Sequence, residues 1–398
     1  MTKAGNSQII RTITLLITIF SLSLPAYAKY SGGTGEPNDP YQIATAQDLM
    51  LLGETLDDYD KHFILIADID MDPNLPGRRV FDKAVIAPDM NDVYRNRSFN
   101  GTPFTGVFDG NNHNISNLTI DGVDYLGLFG KLASGTEVKD LAVVDLNITC
   151  LTSMGYVHNV GGLVGYNSGT VTCCYSSGSV TSERSTGYVS REFGGLVRRS
   201  NGNVTRCHSS VVVSGESYVG GLVGSNFSPG SVTQSYSAGS VRGSYGKIGG
   251  LIGYSSGHVT HCYSTAEVSG FSFVGGLVGY NFFGAVNYCY SIGMVRGNRL
   301  VGGLVGSNYD QMSFSGQGIV TQSFWDIDIS GQVSSAGGVG LTTEQMQDIQ
   351  TYLDAGWDWI GEIENGTSEI WQTPEGGGYP VLAIFSGYMP IQLDSEQV

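Results

Sequence analysis

A five-residue glycine motif returns along this chain at near-constant spacing, and few folds accommodate that. Gly161-Gly162-Leu163-Val164-Gly165 recurs as Gly194-Gly195-Leu196-Val197, Gly220 to Gly224, Gly249-Gly250-Leu251-Ile252-Gly253, Gly275 to Gly279 and Gly302 to Gly306, with a worn copy at Leu126-Gly127-Leu128-Phe129-Gly130. The second glycine moves from 162 to 195, 221, 250, 276 and 303, in steps of 33, 26, 29, 26 and 27 residues. Periods of this size mark stacked units, each of which buries its apolar face only against its neighbours. A propeller blade of four strands needs about 40–45 residues. The shorter unit suits one turn of a coil built from two or three brief strands. The fullest copy, Val274 to Asn281 followed by Val286, Cys289-Tyr290-Ser291, Gly293, Val295 and Gly297, alternates β-branched or apolar runs with Gly, Asn and Ser turns. The expected fold is an all-β, right-handed parallel β-helix.

Columns across the coils follow from the alignment. Five residues after the second glycine stand Asn167, Ser200, Asn226, Ser255, Asn281 and Asn308. Small side chains that bond to one another or cap a turn are the expected reason, and a ligand site on Asn167, Asn226, Asn281 and Asn308 is the alternative. Cys174, Cys207, Cys262 and Cys289 are equivalent, with Ser235 on the missing rung. Strand parity turns them inward and the neighbouring Arg206, Gln234 and His261 outward. Buried thiols act as small apolar fillers, while export would permit a Cys174–Cys207 or Cys262–Cys289 disulfide. Cys150 and Cys173 have no evident partners, and Cys pairs with zinc-site spacing are absent. Beside this column run Tyr175, His208, Tyr236, Tyr263 and Tyr290, expected to face outward as a platform for a sugar or a protein. Tyrosine also simply suits strands.

The glycine-valine core followed by Asn, Val, Cys-Tyr-Ser and Gly-x-Val resembles the GLUG motif, over about residues 126–325. GLUG repeats occur in exported bacterial proteins and in large surface proteins that include immunoglobulin A peptidases. The resemblance implies a β-helical or adhesin-like stalk, with no established activity for most members. The segments Phe108-Asp109-Gly110-Asn111-Asn112-His113 and Ser323-Phe324-Trp325-Asp326 are also similar to parts of such proteins. One copy departs from the motif: Val197-Arg198-Arg199 replaces the expected glycine after a long step. That coil is expected to bulge and expose its basic pair.

The flanks read as a leader and caps. Lys3 and Arg11, an apolar run from Ile13 to Leu24 and the triplet Ala26-Tyr27-Ala28 have the layout of a signal peptide, residues 1–28. Its removal would take the net charge from −16 to −18. Export to the surface, the extracellular space or the periplasm follows. Residues 29–125 are expected to form an N-terminal cap and first coils, and residues 326–398 a C-terminal cap. Thr45 and Asp48 frame a helix to Leu56 with Leu49, Leu52 and Leu56 on one face, and Thr342 and Gln345 frame another with Met346, Ile349 and Leu353 together. The Trp- and Gly-rich tail should fold back on the last coil.

The 58 glycines sit at fixed offsets and only 14% of residues are charged, which fits ordered turns. The acidic balance disfavours nucleic acid and leaves glycans or proteins as partners. No cofactor is expected. Calcium on Asp68, Asp70 and Asp72 is the weaker alternative, because Pro73 and Arg79 stand where a calcium loop needs Gly and Glu. Neither a zinc-peptidase helix nor a serine elbow is present. The chain therefore reads as a scaffold or adhesin-like binding protein. A polysaccharide lyase or glycoside hydrolase is the alternative, weakened because Glu183, Glu192, Glu216 and Glu267 form no adjacent-coil cluster, while Asp109 and Asp326 fit turns as well as catalysis.

Overall fold

A computed structural model describes residues 29–90, 98–151, 158–183, 191–308 and 318–385; the proposed signal peptide lies outside them. The chain is a parallel β-helix with three faces, as the repeat predicts. A ten-stranded sheet of short strands begins at Tyr41–Ile43 and ends at Ile319–Thr321, a seven-stranded glycine sheet runs from Phe129–Leu132 to Val305–Ser307, and a sixteen-stranded sheet carries the longest strands. Every pair in these three sheets is parallel; among the described residues the one antiparallel pair of strands is Trp371–Gln372 with Val381–Leu382. Coils therefore begin well before the first recognisable motif.

The inner file is continuous. Leu163, Leu196, Leu222, Leu251, Leu277 and Leu304 are fully buried, and each amide bonds to the carbonyl of its equivalent in the next coil, Leu163 to Leu196 and on to Leu304. The second motif glycine is required by how closely the coils approach. A Cβ on Gly221 would lie 2.1 Å from the Gly250 carbonyl oxygen, and one on Gly250 2.1 Å from that of Gly276. Toward the N-terminus the core is filled by phenylalanines instead: Phe63, Phe104, Phe108 and Phe129 pack ring on ring.

Each coil turns one corner through a residue with positive φ that is not glycine. Asp140, Cys173, Arg206, Gln234, His261, Tyr288 and Gln322 all have φ between 42° and 54°. This conformation reverses the chain just before the inward residue, Leu141 after Asp140 and Cys or Ser in the other six. The neighbouring parity thus holds, but a corner rather than an extended strand produces it.

The caps differ in detail from expectation. Thr45 and Asp48 form a capping box on helix Ala46–Glu54, which buries Leu49 and Leu52. It stops before Leu56, which starts a separate 3₁₀ turn and is exposed. The C-terminal helix is two short ones, Thr343–Gln347 and Ile349–Asp354, because Asp348 is extended (φ −87°, ψ 117°) and caps the second. Met346 is buried, Ile349 faces solvent and Leu353 is half-buried.

Arg198 corrects the reading of the irregular coil. Val197 and Ser200 keep register with Val164 and Asn167 on one side and with Val223 and Asn226 on the other, so this strand does not bulge. Much of the extra length instead falls between strands Tyr175–Ser182 and Arg191–Gly194. Arg198 is buried, not exposed. Its guanidinium meets Glu192 at 2.7 Å.

Candidate functional site

The expected aromatic platform forms and is then covered. Tyr175, His208, Tyr236, Tyr263 and Tyr290 stand in register, with ring centres 4.2, 4.8, 4.7 and 5.0 Å apart and planes within 23°. They point away from the inner file. However, Tyr263 and Tyr290 are only 7% and 1% exposed, because the C-terminal cap lays Trp357 and Trp371 over them. The Tyr290 hydroxyl donates to the Pro380 carbonyl, and Trp371 Nε1 donates to His261 Nδ1 at 3.3 Å. A stack of outward rings is itself a hydrophobic surface, and the tail buries it. Phe385 meets His208 and Tyr236 edge-on, so even these are half-buried. Burial drops the His208 imidazole to about 4.

The two ladders are internal. Asn167 Nδ2 donates to Ser200 Oγ at 3.1 Å, Asn226 Nδ2 to Ser255 Oγ at 3.3 Å and Asn281 Nδ2 to Asn308 Oδ1 at 2.9 Å. Asn167, Asn226 and Asn281 have no exposed surface, and Asn308 closes the column half-buried by donating to the Gly318 carbonyl. Cys174, Cys207, Cys262 and Cys289 are free thiols. The thiols of Cys174, Cys207, Cys262 and Cys289 each donate to the carbonyl two residues back, and Ser235 and Ser323 do the same with hydroxyls. This shared bond explains why Ser replaces Cys in the column, and it corrects the disulfide alternative.

Asp68, Asp70 and Asp72 do not converge on a metal site. Ile69 and Met71 point inward and the aspartates outward. Asp68 accepts from His113 Nδ1 (2.9 Å) and the Asn114 amide, Asp70 from Asn117 and the Asp72 amide, and Asp72 from Asn74. These bonds hold the Asp68 and Asp70 carboxyls below their ordinary value. Among the described residues no three His, Cys, Asp or Glu side chains group as metal ligands. Among the acids weighed for catalysis, Glu267 pairs with Arg296, Asp109 with Lys139, and buried Asp326 is a helix cap that also accepts from Thr343 and Tyr379.

A second outward column was not anticipated from the sequence, and in it Lys131, Tyr166, Arg199 and Tyr254 are half-buried while Ser225, Tyr280 and Ser307 are buried. Lys131, Tyr166, Arg199, Ser225, Tyr254, Tyr280 and Ser307 lie side by side on the glycine sheet. They occupy the place just before the asparagine ladder, where mixed residue types hid the pattern. Arg199 sits 5.3 Å from the Tyr166 ring centre and 4.2 Å from that of Phe227, and Tyr254 stacks on Tyr280 at 5.9 Å. Next to it runs a second corner column, Glu192, Tyr218, Lys247, Phe273 and Leu300, each just before a paired strand residue. The last motif glycine lets the two columns meet: a Cβ on Gly279 would lie 2.7 Å from the Lys247 carbonyl carbon. Arg198 replaces that glycine and fills the gap with an ion pair, to which Ser225 adds a 2.8 Å bond on Glu192. Nearby, burial raises the Asp124 carboxyl to about 6, while Asn159 and the Tyr125 amide hold its oxygen.

No family model matches the chain. It is similar to Halomucin of Haloquadratum walsbyi, 30% identical over 162 residues, which are 39% of this chain and 2% of that protein. It is also similar to a proposed Gly-rich membrane protein of Evansella cellulosilytica, 31% identical over 179 residues, 41% of this chain and 18% of that protein. The chain thus spans under a fifth of either relative's length. Among solved structures it is similar to a proposed immunoglobulin A1 protease from Bacteroides ovatus, with TM-score 0.54 and 17% identity, over 89% of this chain and 95% of that one. At that identity the likeness is one of fold. No helix among the described residues is long and apolar enough to cross a membrane.

Proposed function

We propose that the chain is an exported GLUG-repeat scaffold, an adhesin-like protein of the cell surface or extracellular space that holds a glycan or protein ligand along its side. The observation that carries this reading is the aromatic and cationic column from Lys131 to Tyr280, laid across successive coils of a body whose interior is filled by its own side chains. A rigid β-helix repeats a side chain on each coil, about 4.8 Å apart, which suits an extended ligand. Similarity to Halomucin supports a surface setting. A carbohydrate enzyme is the competing reading, and Asp124 is the carboxyl whose raised pKa would serve it.

The test has two arms. Fractionation of cells producing the full chain should place it at the surface or in the medium, and glycan and protein arrays should return binders without release of new reducing ends. A wholly cytosolic chain, or one that cuts the glycans it binds, overturns the proposal.

A further inference from the structure

A groove of about 340 Å³ opens where successive coils turn from the long-strand sheet toward the glycine sheet, lined by Tyr218, Tyr245, Lys247, Phe271, Phe273 and Arg299. That volume is at the small end for ligand pockets, about 300–1,000 Å³. Its rim is apolar and in solvent: Tyr245 is 57% exposed and Phe271 45%. Its floor carries a cation. The Lys247 ammonium lies 4.0 Å from the Tyr218 ring centre and 5.4 and 5.5 Å from those of Tyr254 and Tyr280, and it donates to the Tyr218 hydroxyl. Arg299 adds a second, exposed positive charge at the wall. None of the ion pairs among the described residues engages Lys247 or Arg299.

Two features make this more than an incidental patch. The chain is strongly acidic, with net charge −16, yet here two cations share one groove whose lining holds no carboxylate, the nearby Glu192 being paired with Arg198. The corner also aims it: Tyr218, Lys247, Phe273 and Leu300 have φ of 54°, 64°, 53° and 52°, so the chain turns there in successive coils and sets these side chains side by side along the groove.

We infer that this groove binds an acidic polysaccharide, a uronate- or sulfate-bearing chain running along the coil axis; the inference rests on the scaffold reading and names its ligand. The exposed rings take the C–H faces of the sugars, and Lys247 and Arg299 take the anionic groups through charge-assisted hydrogen bonds. A neutral glycan would give neither cation a counter-charge, and an apolar protein segment would bury them unpaired.

The full chain is titrated calorimetrically with polygalacturonate and dextran sulfate, and with methyl-esterified polygalacturonate and dextran as neutral counterparts. At least one acidic polymer should bind, more weakly as salt rises, and the neutral ones at least tenfold more weakly. Arg299→Gln and the pair Tyr245→Ala with Phe271→Ala should each weaken binding at least tenfold at unchanged melting temperature, since all three side chains are exposed. Equal affinity for acidic and neutral polymers, wild-type affinity in these variants, or no binding of either acidic polymer overturns the inference. Array ligands held undiminished by the groove variants would end this site and leave the scaffold reading intact.

Discussion

Arg198 stands where Gly165 and Gly224 stand in the adjoining coils, and its guanidinium lies 2.7 Å from the carboxylate of Glu192, itself only 8% exposed. Burial pulls the guanidinium below its ordinary value against the pull of Glu192. Each charge is tolerable because the other is present. Removing one alone, by Glu192→Ala or Arg198→Ala, should destabilise the fold by about 3–5 kcal/mol, the usual cost of an orphaned buried charge. Denaturant titration of the single and double variants checks this: the double variant should lose less than the sum of the singles.

Gly250 tests the close stacking of coils. Gly250→Ala places a methyl group 2.1 Å from the Gly276 carbonyl oxygen and against Ser264, so backbone must move. A loss of about 1–3 kcal/mol or more is expected, as for overpacked cores. Val333→Ala, at a side chain 90% exposed, should leave the melting temperature within a degree or so of wild type. Equal melting of the two variants would show that the coils can part locally.

Acid should loosen the C-terminal cap. Burial lowers His208 and His261 to about 4 from an ordinary 6.5. Both imidazoles are neutral in either state above pH 6.5. Below it the unfolded chain takes protons that the folded chain refuses, so stability falls as pH drops from about 6.5 to about 4 and levels off beneath. All four tryptophans lie at Trp325 or beyond, and Trp371 donates to His261. Tryptophan emission and melting temperature followed from pH 7 to pH 4 should report the change. His208→Gln with His261→Gln should flatten the profile; an unaltered slope in that pair would place the titration elsewhere.

The thiols should be silent. Burial pushes the Cys174 and Cys289 thiols well above the ordinary value, and five of the six cysteines are buried, only Cys173 being partly exposed. A thiol reagent should label about one cysteine per native chain, and all six in denaturant. Cys207→Ser should fold normally, since Ser235 and Ser323 make the same bond in the same column.

Much of the fold is legible in the repeat, and for one reason. Leu163 through Leu304, the Asn and Ser ladder and the Cys and Ser column are each set by an inter-coil step of one strand spacing, so aligning the repeats aligned the side chains. The disulfide alternative failed for the same reason, since stacked rungs point their Cβ vectors the same way. The burial of Arg198 is not legible in the sequence, because a single departure from a motif says nothing of its partner. Glu192 lies six residues earlier in sequence, but its carboxylate meets the guanidinium only once the corner folds over the strand. The column from Lys131 to Tyr280 stayed hidden because outward positions share a place and not a residue type.

The repeat by itself determined the coil, its inward files and the side of each strand on which a residue falls, because these follow from local period and nearest-neighbour stacking. Which outward face meets solvent was decided only by tertiary structure. Trp357, Trp371 and Phe385 reach back across the coils to cover Tyr263, Tyr290 and His208, while Tyr245 and Phe271 are left open. That choice depends on contacts between segments as much as 177 residues apart, as for His208 and Phe385, and a non-repeating tail carries no periodic signal of where it will dock.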